Sequence, residues 1–358
     1  LSYPMIERRI LLKGFLRNKV NFVLNEDLFM SHHYNVYIEK YSKRPIKAYE
    51  VDLKNKRQHI LSTLGEYLER ETLINENSPK EHTVIATNLI DGSIKQVNLD
   101  MILFKNSFVD SSGMASHKKS KPLIWTAYKE FFERQSYITN FLFHTKAQQL
   151  NIDKIEEIKK IDRYLTNYLD NVKYYNISLS KNLYVVLAVG YGEKYKAVGL
   201  GTSQSARKAV IKSQKEILQY FATSHSKYKE GKVSQGSGLV IDNKDIYHDY
   251  FDRLSSKEVK DLYAYLEGSE FVILNNEEKT EKVSHTFTIK NISNSLNMSP
   301  YITMFENNHA KNVKVVKVFD PKWFPNMAPR NFSKEIILNI ENILKLKRKN
   351  FSELLPFP

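Results

Sequence analysis

The chain of 358 residues predicts an α+β fold, a single domain of antiparallel-rich sheets flanked by helices with an internal repeat. Three observations predict it. Strand-like hairpins alternate with amphipathic helices along the whole length. No shift in composition marks a boundary between domains. One acidic pattern also recurs on helices: Glu66-x-x-Glu69-Arg70 returns as Glu130-x-x-Glu133-Arg134, with a looser echo in Glu216-x-x-Gln219.

In chain order, residues 1–50 form a lead-in where Ile6–Ile10 and Tyr34–Ile38 read as strands or short connectors. His32 and His33 cannot both face one site from a strand, because successive side chains alternate faces, so the pair reads as surface. Residues 57–75 read as the first motif helix, with Ile60, Leu61, Leu64 and Leu68 as its apolar stripe. Strands are expected at His82–Leu89 and Ser93–Phe104, turned through Asp91-Gly92. A Ser-, Gly- and Lys-rich loop spans Lys105–Lys121, and Pro122 opens the second motif helix, expected to reach Gln149. Its aromatic residues Trp125, Tyr128, Phe131, Phe132, Tyr137, Phe141 and Phe143 read as core packing.

Asn151–Leu169 reads as another helix, then Tyr184–Val189 and Lys196–Leu200 as a strand pair. Gly190-x-Gly192 is no dinucleotide fingerprint, since Tyr195 stands at the third glycine position and no helix opens there. The third motif helix is expected at Ala206–Ala222, with Thr202 or Ser203 as its N-cap. Residues 225–248 read as a long polar loop and 255–267 as helical. Phe271–Leu274, Tyr301–Phe305 and Val313–Phe319 read as strands, and 284–297 is ambiguous. Lys334–Lys347 is the last helix, followed by a tail ending Pro356-Phe357-Pro358.

A net charge of +14 favours an anionic partner such as a nucleotide, an acidic peptide or an acidic protein. Nucleic acid is disfavoured: the cations are spread along the chain, and the cluster Lys345–Lys349 reads as a solvated helix end. The absence of cysteine excludes disulfides, thiolate zinc sites and a cysteine nucleophile. No apolar run is long enough for a membrane span and no signal peptide opens the chain, so a cytoplasmic location is expected.

The repeated acidic pattern carries the chemistry. On a helix, residues three and four apart share a face, so Glu66, Glu69 and Arg70 project together, as do Glu130, Glu133 and Arg134. The bland reading is a solvated face with an intrahelical ion pair. Its repetition in the same internal order favours a site, where carboxylates hold a hard divalent cation and arginines hold phosphate oxygens. There is no G-x-x-x-x-G-K-[ST] phosphate loop, so any nucleotide site must be built from these helices.

This combination resembles the YcaO family, which binds ATP without a phosphate loop. Ser62, Gly65, Glu66, Glu69 and Arg70 match its first motif. Ser111–Ala115 with Glu130, Glu133 and Arg134 is similar to its second, and Gly199, Gly201, Ala206, Ala209, Glu216 and Gln219 to its third. The Pro356-Phe357-Pro358 tail is similar to that of azoline-forming cyclodehydratases, in particular the D-type subunit of microcin-type thiazole/oxazole synthetases. Departures occur at Leu354, Ser112, His117 and Gln135, where proline, asparagine, glycine and aspartate are usual. The family's Gly-Lys-Gly is absent, and Lys54 or Lys56 is left to supply its charge.

The resemblance implies a YcaO-like domain over residues 51–350, with the tail 351–358 entering the active site. It implies ATP and Mg²⁺ as cofactors. Glu66, Glu69, Glu130 and Glu133 would hold the metal, and Ser62, Arg70, Ser112, Arg134, Glu216 and Gln219 the nucleotide; the Pro358 carboxylate would serve as base. The implied reaction forms azoline rings from Cys, Ser or Thr of a ribosomally made precursor peptide. A separate leader-binding subunit would deliver that peptide, and a flavin-dependent dehydrogenase could follow. Backbone thioamidation and a non-catalytic scaffold role are the alternatives.

Overall fold

The computed structural model describes residues 29–38, 43–52, 56–74, 83–103, 109–193, 195–229, 246–274, 283–305 and 312–357. Among them, β1 (Phe29–Ile38) and β2 (Lys43–Asp52) form an antiparallel ribbon. The first large sheet has the order β4-β3-β11-β12-β5 and is antiparallel throughout. Its strands are β3 (Thr83–Asn88), β4 (Ile94–Asn98), β5 (Met114–His117), β11 (Tyr301–Phe305) and β12 (Lys314–Phe319). The second has the order β10-β6-β7-β8-β9, from β6 (Gln148–Asn151), β7 (Asn171–Asn176), β8 (Tyr184–Tyr191), β9 (Lys196–Ser203) and β10 (Glu270–Ile273). Only its β10–β6 pair is parallel.

Three helices organise these sheets. Helix α1 (Lys56–Ile74) packs on the ribbon and on β5, and α2 (Ser120–Phe143) lies between the two sheets, against β5 and β12 on one side and β8 and β9 on the other. A helix between two sheets needs apolar surface all round, and α2 has it: Tyr128, Phe132, Tyr137, Phe141 and Phe143 are all fully buried. Helix α4 (Ala206–Lys229) packs on β8, β9 and β2. It sits unusually close to β9, because a Cβ at Gly199 would lie 2.2 Å from the Ser213 carbonyl oxygen and one at Gly201 2.1 Å from that of Ala209. The two glycines therefore set the helix–strand distance. The remaining helices are α3 (Glu156–Leu165), α5 (Ile246–Arg253), α6 (Ser256–Leu262), α7 (His285–Ser295) and α8 (Lys334–Leu344).

The antiparallel-rich α+β architecture matches the sequence reading, and several boundaries do not. The second hairpin strand stops at Asn98, whose side chain caps a single 3-10 turn at Leu99–Met101. The expected loop Lys105–Lys121 contains β5, which gains its partner only from distant β12. Helix α2 begins two residues before Pro122 and ends at Phe143, where His144 takes a left-handed conformation (φ 51°), instead of running to Gln149. That frees Gln148–Asn151 to form β6, and β7 was likewise missed. The expected helix Asn151–Leu169 shrinks to α3. The ambiguous 284–297 stretch is α7, capped by Ser284. Ser205, and not Thr202 or Ser203, caps α4, with its hydroxyl accepting from the Lys208 N–H; Thr202 and Ser203 lie in β9. Ile6–Ile10, Lys54, Pro358 and the centre of the 225–248 stretch fall outside the described residues, whereas Tyr34–Ile38 lies in β1.

Candidate nucleotide and metal site

The three motif helices converge beside β5, β9 and β2, and their acidic residues meet there. On α1, Glu66 pairs with Arg70 at 2.7 Å, so for this copy the intrahelical ion pair does form. One turn away, Glu69 accepts hydrogen bonds from both the hydroxyl and the backbone N–H of Ser116 on β5. Ser62 lies one turn before Glu66 and is half-buried. A Cβ at Gly65 would lie 2.7 Å from the Ser116 hydroxyl oxygen, so the glycine of the first motif makes room for that contact.

On α2 the arrangement is deeper. Glu133 is buried and accepts from the Thr202 hydroxyl at 2.6 Å. On α4, Glu216 accepts from the Leu200 N–H at 2.7 Å, and Gln219 follows on the next residues of the same helix, half-buried. Glu130 lies within the field of Glu69, Glu133 and Glu216, with Arg134 as the opposing charge. The acidic echoes of all three motifs thus share one environment.

The electrostatics follow from crowding like charges where water is scarce. Burial, then Glu66, raises Glu69 to about 7 despite its Ser116 bonds and Arg70. Burial raises Glu216 to about 8, against the pull of Arg134 and with a push from Glu133. Glu130 is raised well above the usual carboxylate range by burial, against Arg134 and with its three acidic neighbours. Burial opposes the charge on Arg134, but Glu133, Glu216, Glu130 and Asp110 outweigh it and hold the guanidinium above its ordinary range.

Residues not singled out in the sequence complete the surroundings. Lys317 is fully buried on β12, donates to the Asp110 carbonyl at 2.6 Å, and is lowered to about 8 by burial against the attraction of Asp110 and Glu130. Its signal was a lone cation inside the apolar run Val315-Val316-Lys317-Val318-Phe319. Asp110 accepts from the N–H of Ser112 at 3.0 Å and of Met327 at 2.7 Å, fixing the turn before β5. In that turn Gly113 has φ 75°, and a Cβ there would meet the Val318 carbonyl oxygen at 2.1 Å. Ser112 is thereby seated next to Asp110, which acts on Arg134. Lys129 is lowered to about 7 by burial and by Lys212, against Glu133. No motif flagged Asp110, Lys129 or Lys212.

The tail reaches the same region. The Arg134 guanidinium carbon lies 4.9 Å from the ring centroid of buried Phe357. Pro358, the expected base, lies outside the described residues.

These residues fit a metal–nucleotide group. Nη1 of Arg134 is buried with no hydrogen-bond partner, which suits a phosphate oxygen. The crowded carboxylates suit a cation. Among the described residues no three His, Asp or Glu side chains form a ready-made metal cage. Mg²⁺ typically takes one or two carboxylates and completes its shell with water and phosphate oxygens, so an open arrangement suits it.

Comparison with known proteins gives the family. The family profile described as "YcaO cyclodehydratase, ATP- and Mg2+-binding" matches residues 39–323. Among solved structures, the E. coli microcin synthetase McbBCD complex with pro-MccB17 bound superposes with a TM-score of 0.64 at 16% identity, over 95% of this chain and 100% of the other. YcaO from Methanopyrus kandleri, bound with AMPPCP and Mg²⁺, gives 0.65 at 14% identity over 88% of each chain. A heterocyclase in complex with substrate and cofactor gives 0.63 at 12% identity, over 87% of this chain and 49% of that one. No curated protein matches. At these identities the structural likeness shows the fold, while the profile spans most of the chain: the protein belongs to the YcaO family, a domain that binds ATP and Mg²⁺.

Proposed function

We propose that this chain is the ATP-dependent cyclodehydratase subunit of a peptide-modifying complex, forming thiazoline or oxazoline rings from Cys, Ser or Thr of a ribosomally made precursor. The observation that carries this reading is the cluster of Glu130, Glu133 and Glu216 around Arg134, with Glu69 beside Glu130 and Phe357 of the tail laid on that arginine. The proposed nucleotide site and the Pro356-Phe357 segment are then neighbours, which suits phosphorylation of a backbone amide.

In this reading Glu66, Glu69, Glu130 and Glu133 hold Mg²⁺. Arg70 and Arg134 take phosphate oxygens, and Ser62, Ser112, Glu216 and Gln219 complete the nucleotide site. Bound ATP with Mg²⁺ supplies a phosphoryl group that makes the amide oxygen a leaving group. The tail's terminal carboxylate, at Pro358, takes the proton of the attacking side chain. Residues 51–350 form the catalytic domain, 1–50 a lead-in and 351–358 the active-site tail. A separate leader-binding subunit presents the peptide, and a flavin-dependent dehydrogenase can oxidise the product. The proposed site of action is the cytoplasm; among the described residues no helix is long and apolar enough to cross a membrane.

Calorimetry tests the reading. Wild type should bind ATP only with Mg²⁺, and Glu66→Gln with Glu133→Gln should abolish binding. Deleting residues 356–358 should preserve ATP binding and remove ring formation, read as loss of one water per ring from the precursor. Undiminished ring formation after the deletion would overturn the proposed role of the tail, and ATP binding that ignores both glutamate changes would overturn the site.

A further inference from the structure

We propose that Tyr263 is a positioning residue that latches the C-terminal tail into the active site through its hydroxyl group. This rests on the reading of the tail as part of that site. Tyr263 follows α6 directly and is buried. Its hydroxyl donates to the Pro356 carbonyl at 2.9 Å. The same hydroxyl lies 2.7 Å from that of Tyr137, on α2. A carbonyl only accepts and a phenol carries one hydrogen, so Tyr263 spends its hydrogen on Pro356 and Tyr137 must be the donor in the pair. The order is therefore fixed: Tyr137 donates to Tyr263, and Tyr263 donates to the tail.

The tail is shaped to receive this bond. The Phe357 N–H donates to the Leu355 carbonyl at 2.9 Å, a three-residue turn centred on Pro356. An inverse γ-turn wants a central φ close to the value the proline ring imposes, so the turn is set by the sequence. It directs the Phe357 ring between Tyr137, at 5.4 Å and 52°, and the Arg134 guanidinium. Leu355 is fully buried beneath it, and the Arg330 N–H holds the Glu353 carbonyl at 3.1 Å. The residue before Pro358 is thus fixed on both its backbone and its ring side. Tyr137 sits three residues after Arg134 on the same helix, so one surface of α2 serves both the nucleotide site and the tail. A frayed terminus would show neither the buried carbonyl bond nor the ring seated between Tyr137 and Arg134.

Hydrogen exchange followed by mass spectrometry tests the latch in the full chain with its partner subunits. Tyr263→Phe removes one oxygen atom and should speed exchange in 351–358 by about tenfold, the loss of one such bond. Exchange in α2 and the affinity for ATP with Mg²⁺ should not change, and in the ring-forming reaction kcat should fall with KM unchanged. Tyr137→Phe leaves Tyr263 free to donate and should keep the tail slow. A tail still protected in Tyr263→Phe but released in Phe357→Leu would overturn the proposal and assign the seat to ring packing. Should Tyr263→Phe fail to fold, deletion of 356–358 in the otherwise native chain is read by NMR: the Tyr263 hydroxyl proton should lose its protection from exchange, and unchanged protection would overturn the latch. Faster tail exchange in a chain whose wild type binds no ATP would support the latch and refute the proposed function.

Discussion

Thr202 donates a 2.6 Å hydrogen bond to Glu133, and both are buried. The bond joins β9 of the second sheet to α2 and so ties the third motif to the second. Thr202→Val keeps the shape and leaves a buried carboxylate oxygen without its donor, at a cost of about 1–3 kcal/mol. Thermal melting should show that loss, and calorimetry should show weaker binding of ATP with Mg²⁺. Thr202→Ser should restore both.

The raised carboxylates set a pH dependence. Glu69 at about 7, Glu216 at about 8 and Glu130, raised by the same burial, all bind protons more tightly folded than unfolded. Their contribution to stability is complete below the ordinary glutamate range and is lost as pH rises through these values. Lys129 and Lys317, lowered to about 7 and about 8, act in the opposite sense at higher pH, so the decline should be clearest between roughly pH 5 and 7. Melting without metal should fall across that window, and Glu69→Gln should flatten the slope. Metal binding needs the ionised forms, so Mg²⁺-dependent ATP affinity should rise across the same window.

The close approach of α4 to β9 gives a sharper test. Gly201→Ala would place a methyl group 2.1 Å from the Ala209 carbonyl oxygen, which only a shift of the helix can relieve. A loss of about 3 kcal/mol is expected in urea unfolding. Gly92→Ala meets no atom within 4 Å and suffers only from its φ of 76°, so a loss of about 1 kcal/mol is expected.

The buried Gln135 amide makes two backbone bonds with Phe324: Nε2 donates to the carbonyl at 3.0 Å and Oε1 accepts from the N–H at 3.0 Å. Gln135→Leu should leave both backbone groups buried and unpaired, lowering stability by about 2 kcal/mol or more. Far-UV circular dichroism during melting measures it.

The motif helices were legible because their signals are local. Apolar spacing, a proline near the start of α2 and the repeated Glu-x-x-Glu-Arg order are all written within one helix. The strands β5, β6 and β7 were not, because short strands take their stability from partners far along the chain. Thr202 shows the same limit at the site. Its position before a helix suggested a cap, yet the register of β9 gave it to Glu133 and left the capping to Ser205.

By itself the sequence determined the fold class and the three motif helices, and it put Glu66, Glu69 and Arg70 on one helix face and Glu130, Glu133 and Arg134 on another, since each rests on neighbours within a few residues. Only the tertiary structure decided that Glu130 meets Glu69 and Glu216, that Asp110 and Lys317 stand beside them, and that Tyr263 grips Pro356. Those relations join residues brought together by sheet pairing and helix packing, and burial then sets their charge states by removing the water that would otherwise screen them.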